Sequence, residues 1–379
     1  MRTTHTMVLP PRLALAASTV YAVQGSIFAL NAASGAHLRR YDAQTIDAPA
    51  VDADTLYCTG PTMSGTVLVA MQISDGATRW RFPDEHRMYT VPMLAGGLVY
   101  TTTVEGMMYA LQTSDGVEMW AFEAGQIITA SPTVADGLIY VAPAVNAPEQ
   151  PYVYVLDAST GILLWSAPVP DSTAHRLTVH AGVLYISTHR GCAALSATTG
   201  ALLWSRDLPP WGPCSAPVAI GDTVCLSTRT MPRPVRREDG TIEHAPGGGQ
   251  VVALRASDGA HLWQRDLDGA HSPTELAAFD DVLYVGSDAA SFDAAGNASV
   301  YALRSQDGAI IWQATTAGER LATPVATSDA VYVGASDGCV YALRANDGTR
   351  LWQTFTSTAV SVAMAISGEL TISGDKPSA

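Results

Sequence analysis

One short pattern recurs along the chain and constrains its fold more than any bulk property. The stretch "VYALRANDGTRLWQ" at 340–353 has near copies in "MYALQTSDGVEMWA" from Met108, "VYVLDASTGILLWS" from Val153, "VVALRASDGAHLWQ" from Val251 and "VYALRSQDGAIIWQ" from Val300. A glycine followed four residues later by tryptophan anchors seven copies: Gly76 with Trp80, Gly116 with Trp120, Gly161 with Trp165, Gly200 with Trp204, Gly259 with Trp263, Gly308 with Trp312 and Gly348 with Trp352. An eighth copy has Gly35 with Arg39 in the tryptophan place. Internal periodicity of this length signals a repeat architecture.

Each unit reads as four short strands. Upstream of the glycine lies an alternating strand such as "VYAL", before it a second such as "AVYVG" at 330–334, and often a third opened by proline, as in "PVAT" at 324–327. The strand carrying the tryptophan is the fourth, and all follow a period of two. A four-stranded antiparallel unit is too small to bury both faces alone, and radial packing solves that problem. The expected fold is therefore all-β: an eight-bladed β-propeller of four-stranded antiparallel blades, one domain over 1–379. Turns such as Asn346-Asp347-Gly348 suit a left-handed residue, which glycine adopts without a Cβ clash. A bare glycine also offers flat backbone to a neighbouring blade's indole, a contact burying about 150–250 Å² per ring. The recurring stretch, with Trp80, Trp120, Trp165, Trp204, Trp263, Trp312 and Trp352 as its docking side chains, is thus a blade-to-blade fastener. The C-terminal "AVSVAMAISGELTIS" at 359–373 resembles two further strands and is expected to seal the ring by pairing with the N-terminal segment.

Composition narrows the function. A formal charge of −14 and a pI near 4.9 argue against nucleic acid as partner, because phosphate binding requires a basic face. No apolar run of membrane-spanning length occurs. The opening "MRTTHTMVLPPRLALAAS" is broken by Pro10, Pro11 and Arg12, so it reads as a first strand and not as a signal peptide, and no lipid-anchor cysteine accompanies it. Cys58, Cys192, Cys214, Cys225 and Cys339 are odd in number and scattered, which fits buried free thiols.

The pattern A-x-D-x-x-T-G-x-x-x-W resembles the tryptophan-docking motif of the pyrroloquinoline quinone (PQQ)-like repeat propellers. The nearest match is "VLDASTGILLW" at 155–165, and at the aspartate place the other copies have Asn31, Gln72, Gln112, Ser196, Arg255, Arg304 and Arg344. The resemblance covers almost the whole chain. It implies either a PQQ-dependent alcohol or sugar dehydrogenase, with an adjacent Cys-Cys pair, calcium and a catalytic aspartate, or the non-enzymatic branch similar to the propeller lipoprotein of the outer-membrane barrel-assembly machinery. The chain has no adjacent cysteines, so no catalytic residue and no cofactor carries across, and the size favours the non-enzymatic branch. That resemblance also points to the cell envelope or an extracellular setting.

With strands labelled A to D, the tryptophan position and the next unit's strand B stay 17 to 20 residues apart, whereas strand B to strand C ranges from 10 (Val20 to Leu30) to 30 (Val224 to Leu254). Antiparallel connection puts the B-to-C and D-to-A loops on one face of the disc. The insertions at 143–151, 227–249 and 287–299 decorate that face, where binding residues concentrate on rigid scaffolds. Arg229, Arg233, Arg236 and Arg237 in the largest suit a carboxylate- or phosphate-bearing partner; a flexible solvated loop is the plainer reading of its prolines and triple glycine. The residues opening strand A ring the channel mouth: Ala48, Val91, Ser131, Arg176, Ala216, Glu275 and Thr323. Arg176 and Glu275, with His175 before the former, break an otherwise small series and are candidates for orienting a ligand. Trp211 lies in a D-to-A loop of the same face and is a candidate contact aromatic. The histidines show no metal-ligand spacing, and Asp52 and Asp54 fall in an A-to-B turn without the rest of a calcium loop. The expected function is a monomeric, non-catalytic scaffold that binds a protein or extended polymer through the long-loop face. The alternatives are a dehydrogenase using PQQ with calcium and a small-ligand or sugar-binding propeller.

Overall fold

A computed structural model of the protein describes residues 12–356 except 17, 44, 46, 62–65, 83–90, 126–127, 129–130, 143–151, 171–175, 189, 209–214, 231–232, 237–241, 246–247, 268–272 and 290–296. Every described strand but two belongs to one of eight four-stranded antiparallel sheets, and each sheet takes its strands in chain order. The blades span 12–41, 50–81, 93–123, 133–168, 176–207, 218–267, 273–315 and 325–355. The innermost strand of each touches that of the next, and Val325–Ala326 of the eighth returns to Arg12–Ala16 of the first, so the sheets close into a ring. This is the eight-bladed propeller that the repeats predict. Among the described residues no helix is long and apolar enough to cross a membrane.

The core lies between blades. One apolar cluster joins Tyr140 and Val155 of blade 4 to Leu184 and Ile186 of blade 5, and another joins Val20 and Leu30 of blade 1 to Tyr332 and Val340 of blade 8. Each blade alone would leave these alternating apolar faces in water, which is why the repeats stack. Cys58, Cys192, Cys225 and Cys339 are free and buried in four different blades; Cys214 lies outside the described residues.

The fastener has the geometry its sequence implies. Every C-to-D hairpin carries a one-residue register shift, as between Ala342 and Leu343, and every anchoring glycine has a positive φ, as Gly161 at 70°. The indole of each blade lies on the turn glycine of the next, Trp80 on Gly116 and so on to Trp352 on Gly35. Trp204 shares a hairpin with Gly200 but does not dock there: it lies on Gly259 of blade 6, while Gly200 receives Trp165 from blade 4. A Cβ at any of these seven glycines would stand 2.5–2.7 Å from an indole carbon or a hydroxyl beside it, so the contact admits no side chain. Six of the indoles donate to the carbonyl three residues before that glycine, among them Trp312 Nε1 to Ala345 O at 2.8 Å, Trp204 Nε1 to Ala256 O at 2.8 Å and Trp120 Nε1 to Ala158 O at 3.1 Å. Strand-B tyrosines converge on the same carbonyls: Tyr57 joins Trp80 on Thr113 O, and Tyr332 joins Trp352 on Ala32 O. Trp165 is the exception, its Nε1 buried with no acceptor among the described residues.

At the first junction Arg39 does pair with Ala29 where tryptophans pair with alanine in most other blades, but it points outward. Tyr41, two residues on, takes over the docking role. Its ring lies 3.3 Å from where a Gly76 Cβ would be, and its hydroxyl donates to Ile73 O at 2.8 Å, again the carbonyl three residues before the glycine. A phenol fills less than an indole, and a cleft of about 350 Å³ lined by Arg40, Asp42, Asp75 and Arg81 opens beside it.

The ring closes between blades 8 and 1 through Trp352, Tyr332 and a Thr354 hydroxyl donating to Gly35 O at 2.7 Å. All four strands of blade 1 come from 12–41. The segment 359–373, expected to seal the ring, lies outside the described residues.

Candidate functional site

The two faces of the disc differ in kind. On the face of the A-to-B and C-to-D turns, the residue three before each turn glycine donates its N–H to the A-to-B turn of its own blade in all eight blades, from Ala32 to Ser18 O through Ala345 to Asp329 O. Its carbonyl receives the preceding blade's aromatic donor in most of them. That face is short, uniform and satisfied. The opposite face carries the connections that vary, and of the sequence candidates the side chains of Arg229 and Glu275 are described there.

The largest of these, 227–249, differs from the flexible loop expected. Strand B of blade 6 runs to Thr230 and strand C begins at Gly248, paired residue for residue, and the insertion between them forms a separate antiparallel hairpin with Arg233 opposite Ala245 and Arg236 opposite Ile242. Alternation in "RPVR" and "IEHA" accounts for it: a period of two favours pairing even where proline and glycine flank the run. Arg229 therefore belongs to the blade, opposite Gly249. The side chains of Arg233 and Arg236, and Arg237 as a whole, lie outside the described residues. So do His175, Trp211 and the side chain of Arg176, whose backbone opens the inner strand of blade 5 opposite Ser187. The Ser187 hydroxyl is buried with no hydrogen-bond partner among the described residues.

Glu275 is better defined. It sits on the inner strand of blade 7, Pro273–Phe279, at a bulge: Pro273 pairs with Ser287 and Leu276 with Val285, so Thr274 and Glu275 together oppose Gly286. Bulges at sheet ends re-aim side chains beside functional sites. This one is held from three sides. The Thr274 hydroxyl accepts from Gly286 N at 2.9 Å, Thr274 O accepts from the Ser227 hydroxyl of blade 6 at 2.7 Å, and a Cβ at Gly286 would meet Thr274 at 2.9 Å and Leu321 at 3.1 Å.

Asp288, which the sequence did not single out, ties three blades at this place. Its Oδ1 accepts from Leu321 N at 3.1 Å, and Arg320 and Arg229 lie close enough to act on its charge. Burial nevertheless pushes its carboxyl up to about 6, against the opposing pull of that hydrogen bond and the two guanidinium groups. The D-to-A connection beside it is pinned to blade 8 by the Ser336 hydroxyl, which accepts from Glu319 N at 3.0 Å and Arg320 N at 3.1 Å. The sector of blades 6 to 8 is thus a mouth with a bulged glutamate, a partly buried carboxyl and two arginines. Such a surface can orient a charged partner group by paired hydrogen bonds.

Comparison with known structures shows where this architecture recurs. The crystal structure of BamB from Moraxella catarrhalis is 21% identical over 87% of this chain and 95% of its own, with a TM-score of 0.64. The computationally designed Ika8 protein is 16% identical over 89% and 96%, with a TM-score of 0.67. The quinohemoprotein alcohol dehydrogenase ADHIIG from Pseudomonas putida HK5 matches at 15% identity over 81% of this chain and 65% of its own, TM-score 0.58. At these identities the likeness is one of fold. Comparison with curated sequences gives no match. A family profile matches residues 23–228, 105–284 and 247–378, which together span most of the sequence. The chain belongs to the family described as outer membrane protein assembly factor BamB, within the PQQ-like repeat propellers.

Proposed function

We propose that the protein is a non-catalytic interaction scaffold that binds a protein or extended polymer through the face carrying the long B-to-C connections. The observation that carries this reading is the division between the faces: variation, the insertion hairpin and the bulged Glu275 gather on one side of a ring whose other side is uniform. The family's description as an assembly factor of outer membrane proteins supports protein partners and a cell-envelope setting.

The quinone-dependent alternative does not fit the donor set. The resemblance to the familiar quinone-dependent dehydrogenases implies an adjacent cysteine pair stacked on the quinone. Here the described cysteines are buried singly in four blades, and no two cysteines adjoin in sequence. Adding PQQ and Ca²⁺ to the purified protein is expected to give no shifted quinone spectrum and no dye-linked alcohol oxidation; either signal would displace the scaffold reading.

Thr230 and Gly248 are register partners, so 231–247 can be replaced by an Asn-Gly turn that closes the same hairpin. The shortened protein is expected to melt within about 2 °C of the parent, since surface changes away from the core move stability by about 0.5 kcal/mol. It should lose crosslinked capture of its envelope partner, and full capture by the shortened protein would remove the loop face from the mechanism.

A further inference from the structure

One junction of the ring departs from the other seven. At those seven an indole carbon or a neighbouring hydroxyl stands 2.5–2.7 Å from where the turn glycine's Cβ would be, whereas at Gly76 the nearest atom, Cδ1 of Tyr41, is 3.3 Å away. The space left open is the cleft of about 350 Å³ between blades 1 and 2, bounded by Tyr41 on one side and by Cys58, Val69 and Met71 on the other. Strand register fixes which side chains face it. Cys58, Val69 and Met71 pack with Tyr41 and Ile27 of blade 1 in one apolar cluster, so this face of blade 2 looks onto blade 1. Arg81, another lining residue, stands directly opposite Val69 in the ladder and therefore shares that face.

Arg81 is out of keeping with the repeat. The residue after the tryptophan is Ala121, Ser166, Ser205, Gln264, Gln313 or Gln353 in the other blades that carry the indole, and none of these is charged. In blades 7 and 8 the glutamine amide donates to the strand-C tyrosine opposite it, Gln313 to the Tyr301 hydroxyl at 3.1 Å and Gln353 to the Tyr341 hydroxyl at 3.2 Å. Val69 offers no such acceptor, and the exposed Arg81 side chain forms no hydrogen bond or ion pair among the described residues. Two more charges border the wedge without an ion pair among the described residues. Arg39, exposed on blade 1, lies near enough to the Tyr41 hydroxyl to act on its charge, and Asp75 accepts from Ala77 N at 2.9 Å in the turn. The Arg40–Asp42 pair, 3.0 Å apart, is turned away: Arg40 stands opposite Phe28 and lies over its ring at 5.6 Å, on the side packed against blade 8. Two guanidinium groups against one carboxylate leave one positive charge in excess at this place, in a protein of formal charge −14.

We propose that this cleft binds a small molecule made of a flat aromatic ring bearing a single anionic group. The ring takes the place that an indole takes at the other junctions, beside Tyr41 and against Cys58, Val69 and Met71. Sulfur-bearing side chains suit an aromatic edge, and an aromatic ring of this kind buries about 150–250 Å². Arg81 holds the anion by a charge-assisted hydrogen bond. A cationic analogue meets the same guanidinium groups and is refused. The cleft uses no residue of the loop face, so the inference goes beyond the scaffold reading and stands independently of it.

The test titrates the full chain with 5-fluoroindole-3-acetate and follows the fluorine NMR signal. Saturable binding is expected with a Kd of about 1 mM or tighter, the range for a ligand of this size. Arg81→Gln places there the residue that blades 6, 7 and 8 have, and it should weaken binding at least tenfold at an unchanged melting temperature, because the side chain it removes is exposed and unpaired among the described residues. Arg39→Trp/Tyr41→Thr reproduces the Trp352 and Thr354 that fasten Gly35, and it should abolish binding in a protein that still melts cooperatively. 5-Fluorotryptamine, with the same ring and a positive charge, should not bind, and cyclohexylacetate, with the same anion and no flat ring, should not displace the acid. Absence of saturable binding by the acid, undiminished binding in Arg81→Gln, equal binding of the amine or full displacement by cyclohexylacetate would overturn the proposal. Tighter binding of the tripeptide Ala-Ala-Trp than of the free acid would also overturn it, by making the occupant the end of a protein chain. Replacing 231–247 leaves this titration unchanged, so failure of the loop-face reading and failure of this one are told apart.

Discussion

Replacing Gly308 with alanine separates the two reasons a glycine stands at each blade junction. Its φ is 66°, and an added Cβ would lie 2.5, 2.7 and 2.9 Å from Cε3, Cζ3 and Cδ2 of Trp263. Left-handed backbone costs a non-glycine residue about 1–2 kcal/mol. Forcing the indole aside adds an overpacking cost of about 1–3 kcal/mol, for a total of about 2–5 kcal/mol. Gly97 is the control: its φ is 79° and nothing lies within 4 Å of an added Cβ, so Gly97→Ala should carry only the backbone cost. At about 2.1 cal/mol/K of unfolding entropy per residue, this chain shifts its melting temperature by about 1.3 °C per kcal/mol. Scanning calorimetry is therefore expected to show a loss of about 1–3 °C for Gly97→Ala and about 3–6 °C for Gly308→Ala. In Gly308→Ala/Trp263→Leu the clash partner is gone, so the double variant should fall short of the summed losses by about 1–3 kcal/mol, the non-additivity expected of residues in contact. Equal losses at the two glycines, or strict additivity with Trp263, would refute the claim that an indole on bare backbone holds the blades together.

Two further outcomes follow from departures in the repeat. Trp312→Phe removes a hydrogen bond to Ala345 O while Trp165→Phe removes none, so calorimetry should find the former more destabilising by about 1–2 kcal/mol; equal losses would mean that the indole N–H contributes nothing at these junctions. Asp288, with a carboxyl held up to about 6, binds its proton more tightly in the folded than in the unfolded protein, so this group's support for the fold is full below about pH 4 and is lost as pH rises through about 6. Asp288→Asn should therefore be more stable than the parent at pH 7.5, by up to about 3 kcal/mol, with the advantage vanishing near pH 4; an advantage independent of pH would assign the effect to something other than this carboxyl.

What was legible in the sequence was what repeats. Eight copies of an alternating hairpin with a glycine and an indole at fixed separation leave few ways to bury their faces, and the ring, its blade count and its seven docking contacts follow. The exceptions depend on cross-strand partners that one strand does not display. Arg39 occupies the tryptophan register, but the side chain that reaches Gly76 is Tyr41, because residues two apart on a strand share a face. The arginines that replace the motif aspartate in blades 6, 7 and 8 look like drift, yet Arg255, Arg304 and Arg344 each pair with the aspartate three residues on, at 3.0, 3.0 and 3.3 Å, and so bracket the same turn from outside. The bulge that presents Glu275 is set by its pairing with Ser287 and Val285 in the next strand, and the partners of Asp288 lie outside its own strands, at Arg229 of blade 6 and Leu321 of the connection to blade 8, neither of which is visible in the local sequence.

The uniform face also explains why function is expected elsewhere. The residue three before each turn glycine spends its N–H on its own blade, and at most junctions its carbonyl receives an aromatic donor from the blade before, so a change on that side disturbs the fold before it can alter a partner. Two regions are exempt. The B-to-C connections leave the blades only after strand pairing is complete, as Thr230 opposite Gly248 shows, and among the described residues the outer strands pair with another strand on one side only. Sequence at both can change without unfastening a blade, and the insertion hairpin of blade 6 falls there. A scaffold built this way can vary its loop face without loosening the ring, because the blades are fastened at the opposite face by indole contacts that the connections of blades 6 to 8 do not use.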